Sequence, residues 1–153
     1  MTKSDKATAL FAQGFSCSQS VLAAFSEEFG LSEDDCLRIS CAFGAGMGRR
    51  QLTCGAVTGA LMVLGMKYGR AKGEDVSKKL NTYKKTTEFF EEFRKKHGST
   101  DCKDLLQGLD MNNPEDLKKI EELNLFLTTC YNCVTNAVEI LESIMANEPC
   151  ETD

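Results

Sequence analysis

A single histidine stands among the 153 residues, and that scarcity removes much of the hydrolytic repertoire. A cysteine nucleophile of the papain type needs an imidazole as its general base. His97 instead falls at the lysine-rich end of a predicted helix, where a cation suits the dipole. Positive charge is also short: the net charge is −5, so nothing electrostatic favours nucleic acid or an anionic membrane. No long hydrophobic run occurs. The best candidate, residues 56–66, contains Thr58 and Gly59 and is too short to span a bilayer. The first residues, MTKSDKATAL, carry no apolar core segment and no small-residue cleavage site, so no signal peptide and a cytoplasmic location are expected. Alternation of apolar and polar residues is missing from every window, which leaves no strand to predict. Internal repeats and low-complexity segments are absent as well.

What remains is helical. Residues 3–13 form a first helix with Ala7, Leu10 and Phe11 on one side, ended by Gly14. Ser16-x-x-Gln19 is a capping box for a second helix, carried to residue 29 by Val21, Leu22, Phe25 and Phe29 and stopped by Gly30. Ser32 caps a third over residues 32–42, with Glu33, Asp34 and Asp35 in its first turn. A glycine loop (Gly44, Gly46, Gly48) then leads through Arg49 and Arg50 into a fourth helix over residues 53–69. A longer amphipathic helix over residues 76–97 has Leu80, Tyr83, Phe89, Phe90 and Phe93 as its apolar stripe. A short helix over 102–106 follows, and Asn113-Pro114 restarts the chain as cap and first helical residue. The last helix spans residues 129–146. The expected architecture is an all-α, single-domain bundle (residues 1–153) of about six to eight helices, with the glycine-faced helix 54–68 central and buried.

Eight cysteines are many for a chain with a real core and no export signal. Their placement on the helix map is informative. Cys17 follows the cap residue Ser16, Cys54 follows Thr53, Cys102 follows Asp101 and Cys130 follows Thr129. Each is predicted at a helix start, where free N–H groups and the positive dipole end stabilise a thiolate. Buried filler has no reason to follow cap residues. Cys36, Cys41 and Cys150 read as filler or incidental. Cys133 makes a C-x-x-C pair with Cys130, the spacing of dithiol oxidoreductases, although the βαβ context of that motif is missing. The GAGMG segment is not G-x-G-x-x-G and follows no strand, which argues against a dinucleotide site. Arg49 and Arg50 read as a solvated loop before they read as support for a thiolate or an anion. Gly55 and Gly59 are the candidates to line a bound cofactor, close helix approach being the plainer reading of their spacing.

Four blocks, GFSCSQSVLAAF, FGAGMGRRQLTCGAVTGALMVLG, GSTDCKDLL and TTCYNCVTNAVEILE, together resemble the C_GCAxxG_C_C family of redox-active proteins. The central motif stands as Cys54-Gly55-Ala56-Val57-Thr58-Gly59. The resemblance implies that Cys17, Cys54, Cys102 and Cys130 are the family's four cysteines, the same four that the caps select. Cys36, Cys41, Cys133 and Cys150 match none of them. It further implies association with membrane transporters, and it names no substrate.

Two chemistries follow for the quartet. The four sulfurs would ligate an iron–sulfur cluster or a single thiolate-bound metal such as zinc, serving electron transfer or structure. Alternatively Cys54 and Cys17 would cycle between dithiol and disulfide. A third reading is non-catalytic: a helical binding module with structural cysteines, serving a transporter. The redox readings require a redox partner protein, and all leave the oligomeric state open, a dimer included. Each redox reading demands that Cys17, Cys102 and Cys130 lie near Cys54.

Overall fold

A computed structural model describes residues 1–147; Cys150 lies outside the described residues. The chain is all-α, with eight right-handed helices and no strand among the described residues. They are α1 (Lys3–Ala12), α2 (Cys17–Ala24), α3 (Glu33–Ser40), α4 (Gly55–Tyr68), α5 (Ser77–His97), α6 (Cys102–Leu105), α7 (Pro114–Glu122) and α8 (Tyr131–Ala146). None is long and apolar enough to cross a membrane.

The caps read from the sequence are largely in place. The capping box of Ser16 and Gln19 is complete, and Ser32 accepts from the Asp35 N–H. Asn113 accepts from the N–H groups of Glu115 and Asp116 ahead of Pro114. Gly98 closes α5 at φ 80°, a conformation that costs little without a Cβ.

Helix α4 is the hub. Nine of its residues are buried, and it packs against α2, α5 and α8. Its contact with α2 is made backbone to backbone. A Cβ on Gly59 would stand 2.7 Å from the Ser18 carbonyl oxygen, and one on Gly55 would stand 3.0 Å from the Ser18 nitrogen. Small residues on α4 therefore set how near Cys17, at the start of α2, comes to Cys54, at the start of α4. Around this pair lies the main core, with Phe25, Leu64, Phe89, Phe93, Val134 and Leu141 fully buried. A second, smaller cluster forms beside it from Cys102, Leu106, Met111, Ile120 and Leu125.

Three expectations fail. Helix α2 stops at Ala24 and not at residue 29; residues 25–30 turn instead, closed by the Leu31 N–H bonding to the Ser26 carbonyl. Phe25 and Phe29 still reach the core, so the apolar spacing was read correctly and the helix length was not. On α5 only the C-terminal part of the stripe packs: Phe89 and Phe93 are buried, while Leu80 and Tyr83 are about three-fifths exposed (61% and 59%). The third concerns Cys130, which does not begin a helix. Asn124 breaks the chain at φ 58°, and residues Phe126–Cys130 then form a π-helical segment running directly into α8. The Cys130 N–H is already bonded to the Leu125 carbonyl, so no free helix end is left at that thiol.

Candidate functional site

The loop between α3 and α4 has an unusual backbone. Ala45, Gly46, Met47, Gly48 and Arg49 are consecutive and all left-handed, with φ between 55° and 72°. They form about one turn of left-handed helix, tied by bonds from the Gln51 N–H to the Ala45 carbonyl and the Leu52 N–H to the Gly46 carbonyl. Only glycine visits this region freely; for Ala45, Met47 and Arg49 it costs about 1–2 kcal/mol each. The turn is held by its surroundings. The buried Gln51 side chain donates to the Leu109 carbonyl and accepts from the Met111 N–H, both at 2.8 Å, and Asn112 donates to the Arg49 carbonyl. Gly46 is obligatory here, since a Cβ would stand 2.5 Å from the Leu52 nitrogen.

Beyond the turn, Thr53 does not cap α4. It pairs with Asp101 in an isolated antiparallel bridge, flanked by bonds from the Cys54 N–H to the Thr100 carbonyl and the Cys102 N–H to the Leu52 carbonyl, each 2.7 Å. This clip sets Cys54 beside Cys102. It also shifts the cap by one residue, so that Cys54 itself is the N-cap of α4.

Five cysteines line one cavity of about 140 Å³: Cys17, Cys54, Cys102, Cys130 and Cys133. Its other walls include Phe11, Ala45, Leu105, Leu106, Met111 and Phe126, and it lies where the two hydrophobic clusters meet. The four cysteines selected from the caps are thus brought together, and a fifth joins them. Gly55 also lines the cavity, whereas Gly59 is spent on the α2 contact. Cys36 is buried in the main core, as filler would be; Cys41 is exposed. Arg49 and Arg50 line a separate polar cleft with Lys103, Asp110 and Asn112.

The thiols are not equivalent. Cys54 is lowered below the ordinary thiol value: the Cys133 thiol beside it favours the anion most, and the Ala56 and Val57 N–H groups at the start of α4 add to this, against the opposing effect of burial. An N-cap side chain is positioned to accept from the second and third helical N–H groups. Cys17 and Cys102 stand one position later, as first helical residues, and no backbone N–H favours their anions. The neighbouring Cys130 thiol and burial push Cys17 well up. Burial pushes Cys102 up to about 12. Cys133, beside Cys54 and also desolvated, is held strongly protonated. Proximity to a helix start is therefore not enough to favour a thiolate; at Cys54 the neighbouring Cys133 thiol contributes most and the cap position adds to it.

His97 also reaches the site. Its Nδ1 lies 3.9 Å from the Cys133 sulfur, and its ring packs on Phe93 with centroids 4.5 Å apart. Burial lowers its pKa from the ordinary 6.5, so the expectation of a cation serving the helix dipole is overturned. The signal was present in the sequence: Phe89, Phe93 and His97 recur every four residues, and the histidine continues the apolar stripe.

An all-α protein that gathers five free thiols around one apolar cavity has the architecture of a thiol-bearing redox protein. The family model "Putative redox-active protein (C_GCAxxG_C_C)" matches residues 15–144. The chain belongs to that family. No curated protein and no solved structure matches it.

Proposed function

We propose that the protein carries out thiol–disulfide exchange at this cavity, with Cys54 as the attacking thiolate. The observation that supports it is the place of Cys54, at the N-cap of α4 and lining the cavity with Cys133, where its anion is favoured. In the exchange, the Cys54 thiolate attacks one sulfur of a disulfide R–S–S–R′ and expels R′–S⁻. A second cavity thiol, deprotonated, then attacks the Cys54 sulfur, closes an intramolecular disulfide and expels R–S⁻. The substrate gains two electrons and the protein dithiol loses them. The apolar lining favours a small uncharged sulfur end in the cavity.

The test is to add a disulfide to the reduced protein, quench with acid, alkylate and map the modified cysteines by mass spectrometry. Cys54 should carry the first mixed disulfide, and Cys54→Ser should abolish the burst. A burst that survives Cys54→Ser at the same rate rejects the proposal.

A second reading keeps the sulfurs as ligands of an iron–sulfur cluster or a single metal, favoured by five of them facing one space. As they stand they do not fit it: among the described residues no three His, Cys, Asp or Glu side chains converge closely enough to hold a metal ion. Protein purified without oxygen settles that reading, since a cluster would colour it brown and a colourless, metal-free preparation would end it.

A further inference from the structure

Thiol exchange needs a second sulfur, and the cavity offers four. The geometry singles out one of them. We propose that Cys133 is the thiol that resolves a mixed disulfide on Cys54, and that His97 takes the Cys133 proton through Nδ1. This rests on the exchange reading above.

Three observations carry it. Cys133 and Cys54 line the cavity together, and Cys133 is the neighbour that most favours the Cys54 anion, whereas the chief neighbour of Cys17 is Cys130. The Cys133 sulfur, in the first turn of α8, has the imidazole nitrogen of the chain's single histidine within 3.9 Å, hydrogen-bond reach for sulfur. Finally, the ring is held in place at the end of α5 by Phe93. The groups facing His97 are Lys96 beside it on α5, and Cys133 and Asn136 on α8, Asn136 being bonded in turn to Glu139. Burial and the Lys96 charge both favour the neutral ring, and the nearby Asn136 side chain opposes them. A neutral ring with Nδ1 unprotonated is the form that can accept.

The step balances as follows. Before substrate arrives, Cys133 donates its S–H to the Cys54 thiolate. Once Cys54 is bound as Cys54–S–S–R, that acceptor is gone and the Cys133 proton passes to His97 Nδ1. The Cys133 thiolate attacks the Cys54 sulfur, the Cys54–Cys133 disulfide forms, and R–S⁻ leaves with the bonding pair. The imidazolium passes its proton to water. A buried thiol far above neutrality in its titration would otherwise react slowly; the histidine removes that obstacle without a permanent second thiolate beside Cys54.

The experiment uses the full chain in a Cys41→Ser/Cys150→Ser background, which retains the five cavity thiols and the buried Cys36. The reduced protein is mixed with 2,2′-dithiodipyridine, a neutral chromogenic disulfide, across about pH 6 to 9. Thiopyridone release should be biphasic, with the mixed disulfide on Cys54 forming first and the Cys54–Cys133 disulfide closing second. Peptide mapping assigns the bonds. In His97→Gln the ratio of second-phase to first-phase rate within each sample should fall about a hundredfold near neutrality and recover as pH rises. In Cys133→Ser the mixed disulfide should persist. An unchanged ratio and pH profile in His97→Gln overturns the histidine's role, and a Cys54–Cys17 disulfide in the parent overturns that of Cys133. Absence of any mixed disulfide on Cys54 in every variant instead removes the exchange reading itself. Because the ratio is taken within one sample, partial loss of folded protein does not mimic the effect.

Discussion

Two glycines of α4 should respond differently to the same substitution, one gaining stability and the other not. Gly65 is exposed, and a Cβ placed there meets nothing within 4 Å. Gly65→Ala should therefore collect the helix-propensity gain alone, about 1 kcal/mol. Gly59 is buried, and its added Cβ would stand 2.7 Å from the Ser18 carbonyl oxygen, a backbone atom that cannot rotate away. Ordinary contact begins near 3.4 Å, so α2 would have to retreat by about 0.7 Å. Overpacking of this kind costs roughly 1–3 kcal/mol, which offsets the propensity gain and leaves Gly59→Ala neutral to about 2 kcal/mol less stable. The retreat also carries Cys17 away from Cys54, because Cys17 adjoins the displaced residue. Urea unfolding followed by far-UV circular dichroism measures both effects. Alkylation of the cavity thiols should be faster in Gly59→Ala and unaltered in Gly65→Ala. Equal stabilisation by the two substitutions would refute the claim that close backbone approach at Gly59 builds the site.

Three further outcomes follow from the same geometry. Cys54→Ser places a better cap residue at the start of α4, so the thermal midpoint should hold or rise while thiol exchange is lost. Met47→Gly relieves a non-glycine residue at φ 72° and should stabilise by about 1 kcal/mol, read by the same urea titration; a loss of stability would mean that Met47 packing outweighs the backbone cost. The third is a pH order. Cys54 sits below the ordinary thiol value of 9.0 and Cys102 at about 12, and the thiolate is the reactive form. As pH rises from about 6 to 10, iodoacetamide should label Cys54 before Cys17, Cys102 or Cys133, which mass mapping resolves.

Much of this was legible in the sequence because it rests on local chemistry. Ser16, Ser32 and Asn113 cap where they were expected to, and the small face of α4 packs where its glycines indicated. The misses have physical causes. At Thr129-Cys130 the residue types suit a cap, but the chain had already broken six residues earlier at Asn124, a residue type that tolerates the left-handed region. Thr53 also looked like a cap, but the bridge to Asp101 claimed its backbone and passed the position to Cys54. That bridge joins segments nearly fifty residues apart and leaves no local trace. The left-handed turn could not be read at all. Ala45, Met47 and Arg49 have no preference for it, and tertiary bonds from Gln51 and Asn112 help to keep it in place.

The spread of thiol acidity bears on which chemistry the cavity suits. A four-thiolate ligand set needs every sulfur deprotonated at once. Here burial and neighbouring thiols hold Cys17, Cys102 and Cys133 protonated, while the cations Arg49, Arg50 and Lys103 face a different cleft. Any metal entering would have to supply the charge that expels those protons. Exchange asks for much less: one thiolate at a time, and a protonated neighbour that can be deprotonated on demand. Cys54 at the start of α4 meets the first need, its anion favoured by Cys133 and then by two backbone N–H groups, and Cys133 against His97 meets the second. The two irregular segments that flank the cavity, the left-handed turn before Cys54 and the π-helical segment ending at Cys130, lie where departures from regular backbone are often found, beside the reacting groups.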